Sequence, residues 1–170
     1  MTTDSLVAER VNSDNFNDYN SLLTEASEKW GLEPTQLEDY MNRIAFHESG
    51  GVADRLQGNE GPGRGLFQFE TGLNQGGHTA ANRLKYELGY SPEWLNITDE
   101  GVDASSMSPE QQRMLFLANY LQKPGKSSGM SGITEDNLSD WWLENHWAGD
   151  EKDKEARRKS FEGNMNVYGL

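Results

Sequence analysis

The sequence predicts a mostly α, α+β domain: a set of amphipathic helices with one small β-hairpin element. Three observations lead there. Apolar residues recur at three- and four-residue spacing in successive stretches bounded by caps and glycine stops. A single glycine-dense interval, residues 50–77, interrupts them and has room only for a short strand or hairpin. Finally, 170 residues with 34% hydrophobic content, including 5 Trp, 6 Tyr and 6 Phe, suffice for one core and leave no room for a second.

The elements follow in order. Residues 1–15, rich in Thr, Ser, Asp and Asn, read as a flexible N-terminal arm, and residues 16–170 as the folded domain. Helical spacing begins at Tyr19 and runs through Leu22, Leu23, Ala26 and Trp30 to a stop at Gly31. Thr35 and Glu38 form a candidate capping box for a second helix with an apolar face of Leu37, Tyr40, Met41, Ile44 and Ala45, ended by Gly50 and Gly51. Around Leu66 to Phe69 the alternation allows the hairpin. A third helix is expected over Thr79–Leu88, followed by a loop from Tyr90 to Met107. Ser108, Pro109 and Gln111 announce a fourth helix carrying Met114, Leu115, Leu117, Ala118 and Leu121. KPGKSSGMSG is a connector, Thr134 caps a fifth helix with Leu138, Trp141 and Trp142, and a last surface helix uses Ala156, Phe161 and Met165.

Composition excludes several classes of function. Net charge is −13, with 28 acids against 15 bases, so the protein's field repels nucleic acid. No apolar run approaches the roughly 20 residues of a membrane span, and no secretion signal is recognisable. Without cysteine there is neither a disulfide scaffold nor a thiolate metal site. HESGG is not the HExxH zinc motif, His47, His78 and His146 lack metal-ligand spacing, and GNEGPGRG lacks the Lys-Ser/Thr of a phosphate loop. No metal or cofactor is expected.

The informative stretch is IAFHESGG followed, after the glycine-rich interval, by GRGLFQF. Glu48 falls in the last turn of the second helix, on the side of Tyr40, Met41 and Ile44. The negative end of the helix dipole and partial burial both penalise its charged form, so its pKa is expected to rise. Breaking a glycosidic bond needs such a carboxylic acid, protonated near neutral pH, to supply the departing oxygen. Taken alone, a glutamate at a helix end is usually a solvated one; the second motif is what sets this one apart.

Glu-Ser-Gly-Gly followed about fifteen residues later by Gly-Leu-Phe-Gln resembles the first two signature motifs of the soluble lytic transglycosylases and their goose-type lysozyme relatives. The resemblance implies a lysozyme-like domain whose hairpin lies beside the active-site cleft and which cleaves the MurNAc–GlcNAc linkage of peptidoglycan glycan strands. It implies that Glu48 is the sole acid and base, that Ser49 orients it, and that Gly65, Leu66, Phe67 and Gln68 line the cleft. The family's third motif, Ala-Tyr-Asn-x-Gly, has its nearest match in Asn145–Gly149. There His146 stands in place of Tyr and Trp147 in place of Asn, and both are taken as substrate-binding. Ala118-Asn119-Tyr120 is an alternative match in the wrong order.

A water-using muramidase needs a second carboxylate, for which Asp54, Glu60 and Glu70 are candidates. Trp94, Trp141, Trp142, Trp147 and Tyr90 are candidates either for sugar stacking or for the core, with Trp147 the best placed for stacking. The short acidic chain also resembles wall-opening enzymes carried in phage virions, made in the host cytoplasm and partnered by other virion proteins. The reading from another class is a virion structural or peptidoglycan-binding protein that has lost catalysis.

Overall fold

A computed structural model describes residues 3–121, 129–147 and 149–170, with side chains from residue 17 onward. Among them are six α-helices and one two-stranded antiparallel sheet: α1 Thr3–Trp30, α2 Pro34–Ser49, β1 Gly63–Arg64, β2 Phe69–Glu70, α3 Gly76–Asn82, α4 Pro109–Leu121, α5 Leu138–Asn145 and α6 Lys154–Val167. Most of the connector KPGKSSGMSG, and Ala148 of the third-motif match, lie outside the described residues.

Helix α4 organises the core. Met114, Leu115, Phe116, Leu117, Ala118, Tyr120 and Leu121 are all buried, so the helix is apolar on nearly every side and must be surrounded. Its start is the Ser108–Gln111 box that the sequence announces: the Ser108 amide donates to Gln111 Oε1 at 2.9 Å and the Gln111 amide to Ser108 Oγ at 3.2 Å. Helices α1 and α3 pack on it, α2 packs on α1 and α6, and α5 packs on α6.

Several boundaries differ from the sequence expectation. Helix α1 begins at Thr3, sixteen residues before Tyr19, so the backbone of the expected arm is helical from residue 3. Once the apolar half has nucleated a helix, each further residue adds a hydrogen bond without a new nucleation cost. Helix α2 is capped two residues earlier than the Thr35–Glu38 box, by Glu33, whose amide donates to Gln36 Oε1 at 3.1 Å. Pro34 explains the shift, because a proline at the first helical position lacks only an N–H that would have no partner there. Helix α3 starts at Gly76 and passes into a π turn over Arg83–Glu87. Thr134 and Asn137 exchange side-chain-to-amide bonds, yet α5 begins only at Leu138. In α6 Phe161 and Met165 face the core, while Ala156 is exposed.

The hairpin is two residues per strand, with Arg64 opposite Phe69 and Gly63 opposite Glu70. The turn between them is the GLFQ motif, and α4 holds it from below. Gln112 is fully buried; its Oε1 accepts the Leu66 amide at 2.6 Å and its Nε2 donates to Ala53 O at 2.7 Å and Met107 O at 3.0 Å. Gly65 is required there, since its φ is +78° and a Cβ would stand 2.1 Å from Gln112 Oε1. None of the helices is long and apolar enough to cross a membrane, among the described residues.

Candidate active site

Glu48 projects from the last turn of α2, which Gly50 ends in the left-handed conformation at φ +67°. Its side chain is only 17% exposed. Burial pushes its pKa up to about 7, although the Trp142 hydrogen bond and the positive charge of Arg157 pull the other way. The indole Nε1 of Trp142, itself buried in α5, donates to Glu48 Oε1 at 2.5 Å. With Oε1 occupied by that donor, Oε2 is the oxygen left to carry the proton when the carboxyl is neutral.

His146 Nε2 stands 3.9 Å from the same Oε1, beyond hydrogen-bonding range. Its bonds run elsewhere. Nε2 lies 2.7 Å from the Phe67 carbonyl and Nδ1 lies 2.5 Å from the Tyr120 hydroxyl. A carbonyl can only accept, so Nε2 carries the hydrogen; in the neutral ring Nδ1 then accepts from Tyr120. His146 therefore joins the end of α5 and α4 to the GLFQ turn.

These groups border a cleft of about 620 Å³ lined by Glu48, Phe67, Gln68, Tyr120, His146 and Trp147 among others, a size suited to sugar rings. Comparison of the chain with protein-family models, curated proteins and solved structures returns no match.

The residues singled out from the sequence divide into two groups. Glu48, Phe67, Gln68, His146 and Trp147 meet at the cleft. Gln68 adopts φ +49° and turns its Nε2 back onto Gly65 O at 2.9 Å, leaving Oε1 without a partner among the described residues. Gly65 and Leu66 are buried behind the wall. Ser49, expected to orient Glu48, instead donates its hydroxyl to Ala45 O at 2.8 Å, the preceding-turn bond that a buried helical serine commonly makes.

Of the candidate second carboxylates, Glu70 lines the cleft, whereas Asp54 and Glu60 do not. Among the aromatics, Trp141 is core and donates to Gly129 O, Tyr90 packs half-buried against the core, and Trp94 lines a different cavity. Trp147 remains at the rim, its ring 6.3 Å from that of Trp142; a Cβ on Gly149 would collide with it. His78 accepts the Asn74 amide and His47 pairs with Asn164.

Both partial matches to the third motif converge here, since Tyr120 and His146 touch. Sequence reading treated them as rivals because it gives no distance between α4 and the end of α5. Arg83 and Gln112 escaped it altogether. A glutamine inside the apolar run of α4 was the available signal, because a buried amide must find partners. Nothing in the sequence marked Arg83.

Proposed function

We propose that this protein is a lysozyme-like, peptidoglycan-cleaving lytic transglycosylase acting on the MurNAc–GlcNAc linkage, with Glu48 as its single acid and base. One observation carries the proposal: a carboxyl group that holds its proton near neutrality inside a sugar-sized cleft walled by the GLFQ turn. In the first step Glu48 Oε2 gives its proton to the glycosidic oxygen as the bond to the anomeric carbon breaks. The carboxylate formed then takes a proton from the muramic acid's own hydroxyl as that oxygen closes onto the same carbon. The product is an internal anhydro sugar, and the acid is regenerated without water.

The presence of Glu70 in the same cleft supports a second reading, a goose-type-like muramidase in which that carboxylate activates water. Digestion of purified sacculi separates the two. Muropeptides lighter by one water are expected, and full-mass reducing ends would assign hydrolysis instead. Equal solubilisation by wild type and Glu48→Gln would overturn both in favour of a non-catalytic wall-binding protein. The acidic charge fits a virion-carried enzyme better than a freely diffusing lysin, since the wall is anionic as well. Detection of the chain in purified particles tests that assignment.

A further inference from the structure

Among the residues lining the cleft is a cation that the reaction above does not use. Arg83 stands where α3 passes into the π turn, an irregularity that frequently marks functional positions because it re-aims the side chains around it. Its Nη1 donates to Asn119 O at 3.0 Å and to Asn119 Oδ1 at 2.6 Å, which fixes the guanidinium against α4. No carboxylate among the described residues forms an ion pair with it, although the chain has 28 acids for 15 bases. Asn119 immediately precedes Tyr120 in α4 and both line the cleft with Arg83, which places the guanidinium beside the Tyr120–His146 pair. The two acids lining the cleft are Glu48 and Glu70.

We propose that Arg83 is a specificity-determining residue that receives a carboxylate of the glycan substrate, so that the cleft selects carboxylate-bearing strands over neutral ones. A guanidinium already immobilised through one nitrogen presents its remaining donors with little further loss of entropy, and their fork matches a carboxylate. Placed in a strongly acidic protein, it also offsets locally the field that would repel an anionic polymer. Muramic acid supplies the matching group in two ways: the lactyl carboxylate when no peptide is attached, and the carboxylates of the stem peptide when one is. The inference rests on the peptidoglycan reading and adds the residue that discriminates substrates.

The test uses glycan strands with and without stem peptides, each as the free acid and after amidation of its carboxyls. Binding is measured in the Glu48→Gln background, and cleavage with Glu48 intact. Free-acid strands are expected to bind about tenfold more tightly than amidated ones, the worth of one charged hydrogen-bonded contact. Arg83→Gln should bring that ratio to about one, and Arg83→Lys, which keeps the charge but not the fork, should retain only part of it. A preference confined to stem-bearing strands assigns the peptide carboxylate, and one seen with stem-free strands assigns the lactyl group. No preference, or the same ratio in Arg83→Gln, overturns the inference; the ligand comparison needs no substitution at Arg83 and so survives any folding defect caused there. Binding with the expected preference but without cleavage would sink the enzymatic reading alone.

Discussion

Two cavities take part of their lining from the β1–β2 hairpin, and they are nearly equal in size, about 620 and 630 Å³. Both include carboxylates and a tryptophan. In the first, Glu48 is held under Trp142 with its side chain 17% exposed. In the second, Glu100 and Asp103 are exposed, and the Trp94 indole nitrogen is buried without a partner among the described residues. Cavity volume and acid count are therefore poor guides to a proton donor. What separates the two is that one withdraws a carboxyl from water while keeping it in the lining of the cleft.

Matched substitutions sharpen that contrast. Glu48→Gln should lower the rate on sacculi by at least about a hundredfold, the typical worth of a general acid, while Glu100→Gln should change it less than about twofold. A comparable loss from both would erase the distinction. Next in size, Gln112→Ala strands the Leu66 amide and two carbonyls in the core and should cost about 3 kcal/mol in urea unfolding, with activity falling as the GLFQ turn loosens.

The tryptophans give a smaller, directional pair. Trp142→Phe removes the donor that favours the Glu48 carboxylate, so the limb along which activity falls as pH rises through about 7 should move upward by roughly one pH unit. Trp94→Phe removes an unsatisfied N–H and should alter stability by less than about 1 kcal/mol with no shift of that limb. A limb that stays in place in Trp142→Phe would show that the proton donor is another group.

A last comparison concerns stability against pH. Burial drives the pKa of His47 down to about 4 from 6.5 and that of Glu48 up to about 7 from 4.5, because each is disfavoured in its charged form. The unfolded chain protonates His47 before the folded one does, so its neutral burial loses stability as pH falls from 6.5 towards 4. The folded state keeps the Glu48 proton longer than the unfolded chain, so the contribution of Glu48 is full below 4.5 and is lost as pH rises through 7. Denaturant midpoints should therefore fall less on acidification in His47→Gln than in wild type, and Glu48→Gln should be relatively more stable above pH 7.

Much of the fold was legible in the sequence because helical patterning is local. The buried face of α2, the Ser108–Gln111 cap, the α4 core positions and the hairpin near Leu66 all rest on residues a few positions apart. Caps shifted and α1 lengthened where several local solutions lay within a small free-energy difference of one another. The position of Glu48 in its helix was equally local, whereas the burial that raises its pKa comes from segments packed against α2.

Local sequence settled that this chain has an amphipathic helix ending in a carboxyl, and a glycine turn built from Gly65 to Gln68. Tertiary structure alone decided which groups surround that carboxyl: Trp142 from α5 on one oxygen, and His146, locked between Tyr120 and Phe67, 3.9 Å from that same oxygen. It also turned Ser49 away, set Glu70 and Arg83 at the cleft, and consigned Trp94 to the other cavity. The reason is that burial and hydrogen bonding between distant segments depend on how helices pack, and no spacing within one helix encodes the distance to the next.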